Sequence, residues 1–379
     1  IDRLPPEFFE YIFMDNGDAA SAAAITGIPE ETVRQIHDDF AYWYPVDIRT
    51  SGKDLVANHL LFFLYHHVAV FPERLWPRAI AVNGFVSLEG QKMSKSKGPL
   101  LTLRQAVADN GADVTRLYIL GNAEGTADVD WRNDGVESTR AHLERFYNFA
   151  REVLADKSID ESAEKSLIDR WMLSRLQRRI GEATEAMQNI QTRRALQSAF
   201  YLLFNDLRWY QRRGGKNQLR AVLSAWVRMM SPFTPHICEE IWADLGDGYA
   251  SLAEWPAADA ALIDERAEKA EDLLEKTLKD VQEILTITKS TPAKITLYAA
   301  PAWKKEMLRL ALDCTQANEG KLDMGALMKQ AMAMPAIAAH KKDAPKYAQK
   351  LAKAAHSLSA EALGLDEFET LTREKAYLA

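Results

Sequence analysis

Ile168, Met172, Leu176, Ile180, Ala183, Met187 and Ile190 follow one another at intervals of three and four residues. That spacing sets all seven along one face of a helix. Residues 195–209, 220–230 and 235–245 repeat the pattern, and Gly214-Gly215 and Gly246-Asp247-Gly248 mark its loops. Rods with one apolar face each must bury those faces against one another, so this stretch predicts a helix bundle. The texture differs on either side. Over residues 1–103 short apolar runs alternate with turn residues, as in an α/β domain seen in part. There Ile80-Ala81-Val82, Asn83-Gly84 and Phe85-Val86-Ser87-Leu88 predict strand, tight turn and strand, and residues 55–70 predict a buried helix. A short helix and turns at Gly111, Gly121 and Gly125 lead to Val129-Asp130-Trp131. Trp255-Pro256-Ala257-Ala258 marks a boundary, after which come a charged helix over 262–289, a strand over 294–298 and Ala- and Lys-rich helices over 302–363. No internal repeat is visible.

Length and charge narrow the classes. The 379 residues leave room for two or three domains. The longest apolar run, residues 60–71, is interrupted by His66 and His67 and is too short to span a bilayer, so no membrane partner is expected. Cys238 and Cys314 are the only cysteines, which argues against a disulfide framework and a Cys-rich metal site and fits a reducing cytoplasm. The net charge of −7 gives no global pull toward nucleic acid, though an acidic protein can carry a local basic face. The opening Ile1-Asp2-Arg3-Leu4-Pro5-Pro6 has neither an initiator Met nor the regions of a signal peptide, which predicts a chain that begins inside a longer protein.

Two clusters carry chemistry. Lys92-Met93-Ser94-Lys95-Ser96-Lys97-Gly98 places three lysines within six residues, spaced by small hydroxyl residues and closed by Gly. Such a cationic loop can approach a triphosphate and neutralise charge developing on departing pyrophosphate. Taken without its exact order, a Lys/Ser run is most often a solvated turn. Upstream stand Ser51-Gly52-Lys53-Asp54 and Asn58-His59. Gly52 lets a backbone approach a nucleoside, and Asp54 can accept hydrogen bonds from ribose hydroxyls. Alone, Asp54 reads equally well as a helix N-cap, and His59 reads more readily as a core histidine. Further on, Arg175, Arg178, Arg179, Arg193, Arg194, Arg208, Arg212, Arg213 and Lys216 stand against few acids, with Trp209 and Tyr210 nearby. The patch suits phosphate contacts and base stacking; for any single Arg, a solvated face with internal salt bridges is the commoner outcome. His236 and Cys238 begin an apolar helix, where packing explains them better than metal ligation.

Lys92-Met93-Ser94-Lys95-Ser96 is the KMSKS motif of class I aminoacyl-tRNA synthetases. Trp43-Tyr44-Pro45, Ser51-Gly52-Lys53-Asp54-Leu55 and Asn58-His59-Leu60 resemble the leucyl enzymes of archaeal and eukaryotic type. The likeness continues through residues 111–118, Asp130-Trp131-Arg132, residues 169–173, residues 205–210 and the run 232–242, and is looser beyond residue 260. Pro99 departs from the pattern, standing where many relatives carry Asn. The resemblance implies a mainly α chain in four parts. Residues 1–103 are the C-terminal half of a Rossmann-type catalytic domain with the KMSKS loop, and residues 104–135 a connective, stem-contact module. Residues 136–257 are an anticodon-binding helical bundle, and residues 258–379 a small α+β tRNA-binding domain.

It also implies ATP-dependent attachment of leucine to tRNA(Leu) by a cytoplasmic, monomeric enzyme. Lys92 and Lys95 would be catalytic, and Gly52, Asp54, His59, Lys92, Met93, Ser94, Lys95 and Ser96 would line the ATP site. Arg175, Arg178, Arg193, Arg194, Arg208, Trp209, Arg212 and Arg213 would contact tRNA. ATP arrives with Mg2+, and neither a prosthetic group nor a protein metal ligand is expected. None of the eight His begins a His-x-Gly-His element, the first-half motif of the class, so the chain is expected to be inactive alone. Two other readings stay open: an isoleucyl- or valyl-type synthetase, against which the Ser51-Gly52-Lys53-Asp54 wording counts, and a non-catalytic tRNA-binding protein with a degenerate synthetase body.

Overall fold

The computed structural model describes residues 4–94, 98–317, 322–353 and 365–378. They are mostly helical, with strands confined to two small sheets. The chain groups into two units: Ile1–Lys157 with Arg179–Leu202 and Leu223–Ala257, and Ser158–Arg178 with Leu203–Val222 and Ala258–Ala379.

The first unit opens with α1 (Pro6–Met14), α2 (Ala19–Thr26) and α3 (Glu30–Trp43). Pro starts α1, where a missing N–H costs nothing; Asp18 caps α2 by accepting the Ser21 N–H at 2.9 Å. Phe8, Ile12, Ala19, Ala22 and Val33 form their common core. Next, β1 (Ile48–Gly52) pairs in parallel with β2 (Ala79–Asn83), Ile48 facing Ala79 and Gly52 facing Asn83. Their crossover runs through a tight turn at Lys53–Leu55, a π-helical turn at Val56–Leu60 and α4 (Leu61–Val70), as a parallel pair requires. In the second sheet β3 (Val86–Leu88) is central, antiparallel to β4 (Gln91–Lys92) and parallel to β5 (Val129–Trp131). Between β4 and β5 lie α5 (Leu103–Asn110) and α6 (Ala112–Asn122).

Helices follow: α7 (Asn133–Ala155), α8 (Leu167–Gln188), α9 (Thr192–Leu196), a π-helical stretch Gln197–Leu202, α10 (Leu203–Arg212), α11 (Leu219–Met230) and α12 (Pro235–Trp242). In the first unit the core is aromatic. The Phe146 ring lies 4.6 Å from Trp226 and 6.0 Å from Phe200, all three almost wholly buried. Asp113 of α6 caps α12 by accepting the Ile237 N–H at 2.7 Å, and Arg116 donates to the Pro232 and Phe233 carbonyls just before it. Cys238 is buried beneath that cap, while the His236 ring meets Asp113 at 2.9 Å from an exposed position.

In the second unit the Tyr210 hydroxyl donates to Asp169 and accepts from the Gln218 N–H at 3.1 Å. Asp264 caps α13 (Glu265–Thr288) through the Ala267 N–H at 2.9 Å. Beyond it come α14 (Ala302–Ala317), α15 (Met324–Ala333), α16 (Pro335–Ala338), α17 (Ala344–Lys353), α18 (Glu367–Arg373) and α19 (Lys375–Leu378). Trp303, Met307, Leu327, Ile337 and Leu351 close a small core of their own. Among the described residues no helix is long and apolar enough to cross a membrane.

Four expectations change. Asn83-Gly84 is not a hairpin turn. Neither residue has the positive φ that a tight hairpin turn needs, and the chain passes there from one sheet to the other. The hairpin lies one step later, at Glu89-Gly90, with φ of 48° and 75° between the facing pair Leu88 and Gln91. Residues 55–70 are helical but not buried: Leu60 and His67 are covered, whereas Phe62 and Tyr65 remain 62% and 63% exposed. Lys294–Tyr298 forms no strand, because no neighbouring backbone among the described residues pairs with it, and Tyr298 is 92% exposed. Last, Ile190 leaves the apolar face of α8: that helix ends at Gln188, and Ile190 sits exposed at φ 57°.

Candidate functional site

The carboxyl ends of paired parallel strands are where α/β sheets bind ligands, and Gly52 closes β1 at that end. A Cβ on Gly52 would stand 2.6 Å from Asp54 Oδ1. The Asp54 carboxylate therefore fills the space any side chain at 52 would need, folded back over the strand end. It caps no helix: among the described residues no donor bonds to it, and it faces solvent. The π-helical turn then presents Asn58 and His59. Asn58 Nδ2 donates to the Asp54 carbonyl at 3.2 Å, and His59 Nε2 lies 3.2 Å from Arg49 Nη2 on β1. His59 is exposed. The core histidine is instead His67, whose Nδ1 meets the Phe63 carbonyl at 2.7 Å while its ring stacks on Tyr44. Nothing in the sequence separates the two, since both lie in one apolar stretch.

Lys92 ends β4, on the far side of the Glu89-Gly90 turn. That turn is tied to β5. Asp130 Oδ1 accepts from the Gly90 N–H and from Ser87 Oγ, both at 2.8 Å, and its Oδ2 accepts from Arg132 Nε at 2.7 Å. The Gly90 amide foremost, then Ser87, holds the Asp130 carboxyl below its ordinary range. Two positions earlier, Asp128 Oδ1 accepts from Lys53 Nζ at 2.6 Å and from the Phe85 N–H at 2.7 Å, which depress its carboxyl likewise. Met93 and Ser94 are half-buried, and the Ser94 N–H reaches the Pro99 carbonyl at 3.3 Å. Lys95 and Ser96 lie outside the described residues. Sequence reasoning missed Phe85, Asp128 and Asp130; the alternating acids around Val129 were the one available sign.

The basic patch divides. In the first unit Arg194 donates to Glu124 through its backbone at 3.0 Å and to Glu185 through its guanidinium at 3.0 Å, while Arg193 is exposed. In the second unit Arg175 pairs with Asp206 at 3.2 Å and Arg178 with Glu268 at 3.1 Å. Arg213, its side chain 8% exposed, is held by Glu271 at 2.8 Å and Glu374 at 2.7 Å, and Trp209 Nε1 donates to the same Glu271 at 2.9 Å. Arg175, Arg178, Arg213 and Trp209 are thus committed internally. The acids that hold three of them come from α13 and the turn after α18, far along the chain, so the local excess of arginine overstated the free charge. Arg208 and Arg212 are exposed, the latter 5.7 Å over the Trp209 ring.

Known proteins align with this chain throughout. Residues 24–151 match the family described as tRNA synthetases class I (M), and residues 169–297 match the anticodon-binding domain of tRNA ligase. The leucine–tRNA ligase of Methanothrix thermoacetophila is 67% identical over 100% of the chain, which spans 40% of that relative. That of Methanosarcina acetivorans is 52% identical, again over 100% of the chain and 40% of the relative. Among solved structures, a LeuRS of Agrobacterium radiobacter in a ternary complex with tRNA and LeuAMS aligns at a TM-score of 0.52. It is 25% identical, over 58% of this chain and 29% of that one.

Proposed function

We propose, from the premise that this chain belongs to the leucine–tRNA ligase family of class I tRNA synthetases, that it carries the KMSKS half of an ATP-dependent leucine-activating site together with a tRNA-binding body. The observation that carries this is the arrangement within the first unit. Gly52 and Asp54 stand at the carboxyl end of a parallel strand pair, and the hairpin bearing Lys92 and the start of the KMSKS loop belongs to the same unit.

The chemistry follows from the residues. Asp54 accepts hydrogen bonds from the ribose hydroxyls of ATP, over a Gly52 that leaves its carboxylate room, with His59 beside it. The leucine carboxylate attacks the α-phosphorus, the bond to pyrophosphate breaks, and Lys92 with Lys95 stabilises the charge that builds on the leaving group. Magnesium, where bound, accompanies ATP and adds to that neutralisation. The resulting leucyl-adenylate passes its acyl group to the tRNA terminus. Arg193, Arg208 and Arg212, exposed arginines of the patch with no carboxylate partner among the described residues, contact tRNA phosphates. Such an enzyme works in the cytoplasm.

Binding of this chain to leucine tRNA and to valine tRNA across a salt series tests the reading, because phosphate contacts set both affinity and its salt slope. Tighter, salt-sensitive binding of leucine tRNA is expected. Equal weak binding of both would leave the body without leucine-tRNA determinants and favour a non-catalytic scaffold.

A further inference from the structure

We propose that Phe85 is a positioning residue for Lys92: its ring seats the lysine ammonium at the base of the KMSKS loop, while Asp128 fixes the Phe85 backbone and Lys53 stands against the same ring. The inference rests on the reading of Lys92 as the cation that meets the leaving pyrophosphate.

Phe85 occupies the step where the chain leaves β2 for β3. At the preceding Gly84, a Cβ would fall 2.1 Å from the Ala127 carbonyl oxygen, so the two backbones lie flush. Phe85 is then pinned from both sides. Its N–H donates to Asp128 Oδ1 at 2.7 Å, and its carbonyl accepts the Val129 N–H at 2.9 Å. A backbone so fixed aims the ring, which stays 42% exposed. Two ammonium groups stand against it, Lys53 Nζ at 5.1 Å and Lys92 Nζ at 5.7 Å from the centroid. The face of an aromatic ring carries negative charge density and attracts cations at this range.

The two lysines differ in what else holds them. Lys53 is neutralised by Asp128 at 2.6 Å and also donates to the Thr126 carbonyl at 3.2 Å. Lys92 has no carboxylate partner among the described residues. A carboxylate would hold Lys92 equally well but would cancel the charge that a phosphate needs. An aromatic face holds the ammonium and leaves its charge intact. Asp128 belongs to the segment leading into β5, so the seat is also the point where the connective region fixes the loop. A lone exposed Phe needs no explanation of this kind; one pinned on both sides of its backbone and flanked by two ammoniums does.

Fluorination tests this without changing the ring's shape, since each fluorine drains the negative face. The test protein is the 67%-identical Methanothrix thermoacetophila enzyme with this chain in place of its matching segment, carrying mono-, di- or trifluorophenylalanine at position 85. Leucine-dependent ATP–pyrophosphate exchange should show kcat falling in steps, to about two- to fivefold overall, with KM for ATP unmoved and Phe85→Tyr near wild type. A flat kcat across the series, or a rising one, overturns the proposal. A second readout needs no activity. In this chain with 13C-labelled lysine, the Lys92 ε-methylene protons should be shifted upfield by the ring current, and Phe85→Leu should abolish the shift. An unshifted Lys92 signal in the parent overturns the proposal as well. If the unmodified chimaera shows no exchange, the functional reading of Lys92 fails, and the lysine spectrum still decides the seat.

Discussion

Arg212 and Arg213 are neighbours in sequence with opposite fates. Arg213 turns inward to Glu271 and Glu374, and Glu271 is itself 1% exposed and also accepts from Trp209. Removing the guanidinium strands a buried carboxylate, a loss of about 3–5 kcal/mol. Arg213→Ala should therefore lower the denaturant midpoint sharply. Arg212 faces solvent, so Arg212→Ala should leave the midpoint unchanged. In tRNA titrations it should instead weaken binding and reduce the salt slope by about one. A stable Arg213→Ala protein with weakened tRNA binding would reverse the assignment of the two. At this scale the sequence identified the residue types, but the partners that commit Arg178 and Arg213 lie about 60 to 160 residues away, beyond any local window.

Among the elements, α13 and the turn after α18 fasten to arginines through Glu268 and Glu374. Burial pushes both carboxyls up. The charge-assisted bonds from Arg178 and Ser174 to Glu268, and from Arg213 and Arg373 to Glu374, outweigh it and bring both below the ordinary glutamate range. A carboxyl lowered in the folded state adds stability that is complete above its unfolded pKa, about 4.3, and is lost as pH falls through the folded value. Urea midpoints should thus hold steady from about pH 7 to pH 5.5 and fall below about pH 4. Glu268→Gln should flatten that acid limb, and an unchanged limb would show the bond to Arg178 contributes nothing. The hairpin at Glu89-Gly90 makes the complementary point. Asn83-Gly84 carries the stronger local turn signal, yet the close approach of Ala127 to Gly84 makes it a crossing point between sheets. A local signal states what a backbone can do, and the strand pairing decides which option is used.

Across the whole chain, the apolar content divides into a covered and an uncovered part. Phe146 is wholly buried between Phe200 and Trp226, so Phe146→Ala should cost about 3–5 kcal/mol. On α4, Phe62 and Tyr65 are more than half exposed. The double change Phe62→Ser, Tyr65→Ser should shift stability by no more than about 0.5 kcal/mol, checked by the same unfolding curves. A large loss there would mean that face is covered in solution. Helical periodicity determined the existence of α8 and its buried face through Met172, Leu176, Ile180 and Ala183, because a period is a property of the residue order itself. The order of residues 92–96 and the wording at 51–54 determined the family for the same reason. Only the tertiary structure decided which arginines stay free, which histidine is buried, where the hairpin turns and what Lys92 rests against. Each of those depends on a partner brought up by the fold from elsewhere in the chain, and no spacing along the sequence records that distance.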